Sequence, residues 1–378
     1  MNIVFIIQSL SLGGGVERTL TDKANYLAEA GHRVTMVTYE QGLHPLSFEL
    51  HPAVSHVDLE CRYFTLFKLP LLKRLPKIRA LKRLFLARWN QLTDELRPDV
   101  IVMTTYSDEF RREIVSVCKK GYRLIMESHT AFLYDKKPKN ILDRLRLAYD
   151  LHLIRQCDMV LALSEGDAAF WRRYVADVRV LRNPVSFYID DPASRAVKGT
   201  RRIISAGRLN VPKRYDLLIE AFALIADRYP QWRLDIFGNG PLRDELQGRI
   251  DAMGLTGRVV LNKPTPAIYE AYLRSDFLVL CSDYEGLPLV LIEAMACGIP
   301  VVSTDCPYGP REIIDDGVTG LLSAMDAQAL ADKMEWMMSH EAEREEMGAR
   351  AHQAAARYKK DVVMVEWEKA YLSLASRQ

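Results

Sequence analysis

The sequence predicts an α/β protein made of two doubly wound, Rossmann-like domains. Short apolar runs alternate with helical stretches from the amino terminus onward, which is the pattern of βαβ units in a parallel sheet. The alternation breaks into a polar, strandless segment near Asn183 and restarts at about residue 200. We therefore expect one domain over residues 1–185, joined by the last helix 361–376, and a second over residues 186–360.

The elements follow one another in a regular order. The apolar strand 2–8 runs through a glycine loop into a helix from about Val16 to Ala30, and Gly31 ends that helix before the next strand. Strands are predicted at 33–39, 99–104, 123–127, 159–163 and 178–181, and then at 202–206, 233–237, 258–261, 277–280 and 300–303. Helices of the second domain are predicted near 214–228, 241–253, 266–274 and 288–297, and the tail from about Asp326 is helical. Two such domains are expected to face a ligand-binding cleft.

Composition narrows the class of protein. The 378 residues are 49% hydrophobic with a net charge of +2, so the chain can bury a large core and has no global attraction to nucleic acid. The six cysteines include no C-x2-C pair, which favours a reducing compartment and disfavours a zinc site. The first apolar run is too short for a signal peptide, and no segment approaches the roughly 20 residues that span a bilayer. We expect a cytoplasmic protein.

One segment departs from the alternation. Between Cys61 and Thr93 there are nine basic residues and no acidic one, and Leu71, Leu75, Ile78 and Phe85 recur at helical spacing. We interpret residues 62–89 as a basic amphipathic helix on an anionic membrane surface, where each Lys or Arg contributes roughly 1 kcal/mol. The candidate membrane contacts are Lys73, Arg74, Lys77, Lys82 and Arg83. A solvated face of an ordinary surface helix is the alternative, and nucleic acid is a weaker one.

The stretch from Glu285 to Gly298 carries the strongest site signal. A loop delivers one carboxylate, and a short helix after Pro288 carries a second, Glu293, among apolar neighbours. A carboxylate in such surroundings needs a ligand or a hydrogen-bond donor. The free N–H groups near Leu287 and the helix dipole attract an anion. A buried helix with a capping Glu285 and a Glu293 paired to a distant arginine is the alternative.

Two loops of the second domain follow predicted strands. Arg208 offers a planar fork and Lys213, five residues later, a point charge, so together they can grip a diphosphate. The tight turn Gly238-Asn239-Gly240 lets its backbone approach a nucleotide closely. Arg243 stands where a G-x-G-x-x-G motif needs its last glycine, which disfavours a hydride-transfer cofactor. Ordinary surface positions are the alternative for Arg208 and Lys213.

The first domain has two candidate positions. Gly14 and Gly15 open a helix and can meet a phosphate, although Arg18 again breaks the dinucleotide motif. His129 directly follows the strand 123–127. A structural role is the alternative for a lone histidine at a strand end.

Taken in order, these motifs resemble the retaining, nucleotide-sugar-dependent glycosyltransferases of the GT-B fold, family four. The motifs are Gly14-Gly15-Val16-Glu17-Arg18, Ser128-His129, Gly207-Arg208 with Lys213, Gly238-Asn239-Gly240-Pro241-Leu242, and Glu285 with Glu293. Val16, Ser128 and Asn239 depart from residues common in that family. The segment from Cys306 to Ile314 resembles members that build bacterial surface polysaccharides and lipid-linked oligosaccharides.

The resemblance implies a transferase that moves a hexose or N-acetylhexosamine from a nucleotide sugar, with UDP favoured, to a lipid-linked or polysaccharide acceptor at the inner face of the cytoplasmic membrane. Glu293 would bind the ribose hydroxyls and Glu285 the transferred sugar. Arg208 and Lys213 would hold the diphosphate, and His129 would contact the sugar near the anomeric centre. The donor-binding set is completed by Gly14, Gly15, Gly238, Asn239, Gly240, Gly286, Leu287, Pro288 and Leu289.

The same residues bear on the reaction mechanism and on the alternative functions. No D-x-D triplet occurs, so we expect neither a metal nor a cofactor, with fixed cations and amides stabilising the leaving diphosphate. Same-face attack, with a donor phosphate oxygen accepting the acceptor proton, would retain the anomeric configuration. A nucleotide-sugar epimerase or a phosphorylase is the alternative enzyme. A non-catalytic sugar-nucleotide-binding subunit of a polysaccharide assembly complex is the alternative without activity.

Overall fold

The chain forms two compact units, each with its own parallel sheet and hydrophobic core. Unit 1 comprises Met1–Arg182 and Val363–Gln378, and unit 2 comprises Asn183–Val362. The computed structural model describes residues 1–11, 13–68, 70–104, 109–135, 137–192 and 199–376.

Unit 1 is built on a seven-stranded parallel sheet. Its strands are β1 (Asn2–Ile7), β2 (Arg33–Thr38), β3 (Val54–Asp58), β4 (Val100–Thr104), β5 (Arg123–Ser128), β6 (Met159–Ala162) and β7 (Val178–Val180). Their order across the sheet is β3-β2-β1-β4-β5-β6-β7, so the direction of chain progression reverses between β1 and β4. The central strands are buried along almost their whole length, which is why they read as continuous apolar runs.

The helices of unit 1 follow from apolar spacing and from local caps. They are α1 (Gly15–Glu29), α2 (Leu71–Leu96), α3 (Arg111–Val115), α4 (Phe132–Asp135), α5 (Ile141–Ile154) and α6 (Glu165–Trp171). In α1, Leu20, Ala24 and Leu27 recur at intervals of four and three residues and are buried. The side chain of Asn140 caps α5 by accepting the N–H of Asp143 at 2.9 Å.

Unit 2 has a six-stranded parallel sheet in the order β10-β9-β8-β11-β12-β13. The strands are β8 (Arg202–Ala206), β9 (Arg233–Phe237), β10 (Val259–Asn262), β11 (Phe277–Leu280), β12 (Val301–Thr304) and β13 (Gly320–Ser323). The helices are α7 (Tyr215–Ala226), α8 (Arg243–Ala252), α9 (Ile268–Tyr272), α10 (Leu289–Ala296), α11 (Pro310–Ile313), α12 (Ala327–Ser339) and α13 (Glu341–Ala355). The direction of chain progression reverses between β8 and β11.

The last helix, α14 (Lys360–Ala375), belongs largely to unit 1. Trp367 is fully buried there and donates its indole N–H to the carbonyl oxygen of Arg182 at 2.7 Å. Glu368 lies 2.8 Å from the ring of His32. The carboxyl-terminal residues therefore complete the core of the amino-terminal unit.

Two strands are absent from the sequence prediction. β3 is a polar edge strand whose residues are mostly half-buried or exposed, so it carries no apolar run. β13 is four residues long, begins with Gly320 and lies at the other unit's sheet edge. Strand β3 turns only part of its surface to the core, and β13 is buried but too short to give an apolar run, so both have weak sequence signals.

Helix α2 corrects one part of the membrane prediction. Phe85 and Trp89 are fully buried in the core of unit 1, and Phe85 stacks on Phe110 with 4.2 Å between ring centroids. These aromatic side chains hold α2 to the unit and are unavailable to a lipid surface. The candidate basic side chains are exposed at Lys73, Lys77 and Arg83 and partly exposed at Arg74 and Lys82. Within the described parts of the chain, no helix is both long and apolar enough to cross a bilayer.

Candidate active site

The predicted site residues of unit 2 gather at the point where the strand order reverses. β8 and β11 are neighbours in the sheet, and β9 lies on the other side of β8. The loops that follow these strands carry Arg208 with Lys213, Glu285, and the turn 238–240. Loops at the carboxyl ends of parallel strands on either side of a reversal leave a crevice, which is the usual ligand site of such sheets. The sheet topology therefore explains why segments distant in sequence converge.

Lys213 and Glu285 form an ion pair. The Lys213 Nζ lies 2.5 Å from Glu285 Oε1, and the Ser282 hydroxyl donates to the same oxygen at 2.6 Å. Both side chains are mostly buried, at 25% and 11% exposure. A lysine ammonium has three donors, so this pair leaves Lys213 able to hold a second anion.

The loop that bears Lys213 is fastened to the loop after β11. The Asp283 N–H donates to the Pro212 carbonyl oxygen at 2.8 Å, and Arg214 pairs with the Asp283 carboxylate at 3.0 Å. The Cys281 thiol contacts the Lys213 carbonyl oxygen at 3.1 Å. These contacts hold the two charged loops in a fixed relation, which is how preorganised electrostatic sites are built.

Arg208 has a different environment. Its side chain is exposed and forms no ion pair with any residue in the described ranges. The neighbouring backbone is held by the Asn210 N–H, which donates to the Arg208 carbonyl oxygen at 2.8 Å. The guanidinium is consequently available to an external anion.

Gly238 and Gly240 are glycines because the loop after β8 passes directly over them. A methyl group at Gly238 would overlap the carbonyl oxygen of Gly207, and one at Gly240 would overlap that of Leu209. The Leu209 N–H donates to the Asn239 carbonyl oxygen at 2.9 Å. This close approach explains the Gly-Asn-Gly turn through packing within the protein, and it also seats the segment that carries Arg208 and Lys213.

Helix α10 begins one residue later than Pro288, which takes the cap position with an extended backbone. Pro288 has no side-chain acceptor with which to cap the helix start. The side chain of Leu287 is buried, so only its backbone can meet a ligand. Gly286 precedes Leu287, and Leu289 follows Pro288. The first turn of α10 presents backbone N–H groups to an anion. Gly298, with φ of +72°, follows the carboxyl end of the helix.

Glu293 lies half-buried on α10 and accepts a hydrogen bond from the Tyr272 hydroxyl at 3.1 Å. Burial and the adjacent Glu293 carboxylate raise the pKa of Tyr272 well above its usual value, so the phenol keeps its proton and acts as a donor. Tyr272 is not among the site residues that the sequence predicts. Its position at the end of the short helix α9, ahead of the next strand, carries no signal that points to Glu293.

In unit 1, Gly14 and Gly15 form the start of α1. Gly14 is the cap residue and Gly15 the first helical residue, and neither glycine has a side chain that could cap the helix start. Gly13 adopts a φ of +64°, a conformation that favours glycine. The adjacent β1 and β4 mark the reversal of strand order in this sheet. The glycines therefore occupy the position at which such folds present backbone amides to an anion.

His129 is enclosed rather than open. Only 1% of its side chain is exposed. Its Nε2 lies 2.9 Å from Glu127 Oε2, and its Nδ1 has no hydrogen-bond partner among the described residues. For His129 to contact a sugar, its ring must become exposed to solvent, or its backbone must make the contact.

Glu127 is the centre of a buried polar network and is likewise not among the predicted site residues. Lys23 Nζ lies 2.8 Å from Oε2, and the Tyr371 hydroxyl donates to Oε1 at 2.6 Å. The Lys23 ammonium also lies 3.0 Å from the centre of the Trp367 ring. Lys23 falls on the buried face of α1, and this placement is the one signal that the sequence offered.

The contacts within the network shift the pKa values of Glu127, Lys23 and His129. Burial would raise the pKa of Glu127, but Lys23 and His129 outweigh it and lower that pKa to about 2. Burial lowers the pKa of Lys23 to about 8 against the opposing pull of Glu127. Burial also lowers the pKa of His129, while Glu127 and Glu17 act in the opposite direction. A neutral His129 that donates Nε2–H to an ionised Glu127 leaves Nδ1 as an acceptor.

Comparisons with known proteins identify the kind of domain that each unit contains. A family model described as Glycosyltransferase Family 4 matches residues 13–187, and one described as Glycosyl transferases group 1 matches residues 189–354. Sucrose-phosphate synthase from Thermosynechococcus elongatus superposes with a TM-score of 0.83 at 19% identity, covering 100% of both chains. Anabaena Alr3699/HepE in complex with UDP and glucose gives 0.77 at 20% identity, covering 99% of both.

Curated relatives extend the comparison. A Campylobacter jejuni α-1,4-N-acetyl-D-galactosaminyltransferase is 28% identical over 376 residues, which is 98% of each chain. The lipopolysaccharide 1,6-galactosyltransferase of Salmonella typhimurium is 24% identical over 331 residues, 85% of each chain. An exopolysaccharide phosphotransferase of Streptomyces coelicolor is 38% identical over 180 residues, which is 47% of this chain and 19% of that protein.

The two Rossmann-like units and their structural neighbours define an α/β protein of the GT-B fold. The two family models together take in almost the whole chain from residue 13 to residue 354. The chain is a glycosyltransferase whose amino-terminal half matches the Glycosyltransferase Family 4 model and whose carboxyl-terminal half matches the Glycosyl transferases group 1 model.

Proposed function

We propose that this protein transfers a hexose or N-acetylhexosamine from a nucleoside-diphosphate sugar, with UDP as the favoured nucleotide. The observation that carries the proposal is the gathering of Arg208, the Lys213–Glu285 pair and the start of α10 around the strand-order reversal of unit 2. The exposed Arg208 guanidinium has no ion-pair partner among the described residues, the Lys213 ammonium is partly exposed, and the start of α10 offers backbone amides. Such a set suits a diphosphate.

The donor is divided among these groups as follows. Arg208 and Lys213 hold the diphosphate, and the amides around Gly286, Leu287, Pro288 and Leu289 face the same anion. Glu293, held by Tyr272, accepts the ribose hydroxyls. Glu285, already fixed by Lys213 and Ser282, accepts hydroxyls of the transferred sugar. Unit 2 is thus the nucleotide-sugar-binding domain.

Unit 1 supplies the acceptor side. Gly14 and Gly15 present backbone amides at the start of α1, a position that suits an anion. His129 accepts a hydrogen bond through Nδ1 from a sugar hydroxyl once its ring is uncovered. A neutral acceptor nitrogen suits a hydroxyl and does not suit a phosphate oxygen.

The chemistry relies on fixed charge. Cleavage of the sugar–phosphate bond places positive charge on the ring and negative charge on the departing diphosphate. Arg208, Lys213 and the helix amides meet that negative charge in the transition state, so no metal is required. A phosphate oxygen accepts the proton of the attacking hydroxyl on the same face, which retains the anomeric configuration.

The acceptor is a lipid-linked or polysaccharide glycan at the cytoplasmic face of a membrane. Two relatives support this class, because their names specify an undecaprenol diphosphate-linked glycan and lipopolysaccharide. The exposed basic residues Lys73, Lys77 and Arg83 on α2, with Arg74 and Lys82 beside them, attract the anionic surface on which such an acceptor resides.

The experiment is a panel of UDP- and GDP-sugars assayed for nucleotide release with and without EDTA, together with NMR of the product. We expect turnover with a UDP-sugar that is insensitive to EDTA and gives the retained anomer. Arg208→Ala should lower kcat/KM about a hundredfold or more. Arg233→Ala is the matched control, because Arg233 is exposed at the opposite end of a neighbouring strand. Equal losses in both variants, or no turnover by the wild type, would contradict the proposal.

A further inference from the structure

Helix α5 presents a row of apolar side chains to solvent on unit 1. Ile141, Leu142, Leu145 and Tyr149 are all exposed, with 74% of Ile141 and 63% of Leu145 accessible. Their intervals of one, three and four residues place them along one side of the helix, here called the α5 face. Exposed apolar side chains that cluster in this way mark an interaction surface.

The charge around the α5 face is cationic. Its exposed basic neighbours are Lys137, Lys139, Arg144 and Arg146. The acidic residues of α5 are engaged within the unit. Asp150 pairs at 2.9 Å with the fully buried Arg111, and Asp143 accepts the N–H of Lys139 at 3.2 Å and lies 3.9 Å from Arg146. The surface therefore combines apolar side chains with net positive charge.

The α5 face is continuous with the basic helix α2. A groove of about 830 Å³ separates the two helices, and its walls include Lys82 and Arg83 from α2 and Tyr149 and His152 from α5. Arg112, from α3, lines the same groove. Helix α2 commits Phe85 and Trp89 to the core and exposes Leu75 and Leu84 beside its basic residues. The α5 face adds four exposed apolar side chains to this surface.

We propose that the α5 face inserts into the headgroup region of an anionic bilayer, while the exposed basic residues of α2 and α5 bind the lipid phosphates. An interfacial helix of this kind buries its apolar side shallowly and keeps its cations at headgroup level. This inference deepens the membrane part of the proposed function and rests on it. A second copy of the chain is a poor occupant, since two basic surfaces would repel each other.

The test is co-sedimentation of the full chain with vesicles of phosphatidylcholine alone or mixed with phosphatidylglycerol. The variant is Ile141→Ser combined with Leu145→Ser, and the matched control is Leu224→Ser, whose side chain is 50% exposed on α7 of unit 2. We expect the wild type and the control to bind the anionic vesicles, and the double variant to bind at least about tenfold more weakly. Added salt should weaken wild-type binding.

Several results would overturn the inference. These are equal vesicle binding by the double variant and the wild type, no wild-type binding to anionic vesicles, or a wild-type dimer that the double variant abolishes. Nucleotide-sugar turnover in vesicle-free buffer should be unchanged in the double variant. Intact vesicle binding without any turnover would refute the donor chemistry alone, so the two proposals fail separately.

Discussion

Replacing Glu127 with glutamine tests the buried network of unit 1. The carboxylate accepts hydrogen bonds from Lys23, His129 and Tyr371 at 2.8, 2.9 and 2.6 Å. All four side chains are buried, so Glu127→Gln leaves the Lys23 ammonium without its counter-charge in a site closed to water. Removal of one partner from a buried ion pair costs about 3–5 kcal/mol, and we expect unit 1 to lose stability by that amount.

A second substitution separates this charge effect from packing. Lys23→Met keeps a long side chain and removes the cation, and alone it leaves Glu127 ionised without its ammonium partner. We expect that single variant to be destabilised as well. In the double variant both charges are gone, so its loss should be smaller than the sum of the two single losses by about 1–3 kcal/mol.

Native-state hydrogen exchange is the suitable measurement, because a chain with two units need not unfold in one step. Peptides from β5 and α14 report on the network, since Glu127 and Tyr371 lie on those elements. Peptides from β8 and β9 in unit 2 serve as the internal control. Strictly additive losses in the double variant, or unchanged exchange in α14 after Glu127→Gln, would refute the coupling.

Three further predictions concern single positions. Gly240→Ala should lower both turnover and the thermal midpoint because the added methyl overlaps the Leu209 carbonyl, whereas Gly248→Ala, in open space on α8, should stabilise by about 0.5–1 kcal/mol. Tyr272→Phe removes a donor to Glu293 and should weaken UDP binding about tenfold by calorimetry; an unchanged affinity would remove Tyr272 from the site. Glu127 has a pKa of about 2 when folded against an ordinary 4.5, so its contribution of about 3 kcal/mol is complete above pH 4.5 and is lost as the pH falls towards 2. Denaturant titrations should show that loss in the wild type and a flatter acid limb in Glu127→Gln.

Much of the fold is readable from the sequence because its signals are local. The alternation of apolar runs with helical stretches predicts two parallel α/β domains, and two such sheets are present. Pro288 and Gly298 predict a short helix between them, and α10 spans Leu289–Ala296. The edge strands β3 and β13 are not predicted. Strand β3 is half-exposed and β13 is only four residues long, so neither has a clear apolar run.

The candidate site was also only partly predictable from the sequence. Sequence patterns select Arg208, Lys213, Glu285 and Glu293 as candidates, because charged residues after predicted strands stand out from their surroundings. Which of these pair with one another depends on strand order. The Lys213–Glu285 contact joins residues 72 positions apart and follows from the adjacency of β8 and β11.

The sequence by itself determined the two-domain α/β plan, the glycine turns and the candidate charged groups, since each of these depends on residues close together in the chain. Only the tertiary structure decided that Phe85 and Trp89 belong to the core, that Tyr272 holds Glu293, and that Tyr371 returns to Glu127 across 244 positions. The physical reason is that burial and hydrogen-bond pairing depend on which surfaces meet in space. Apolar periodicity records that a side chain will be buried, but it does not record its partner.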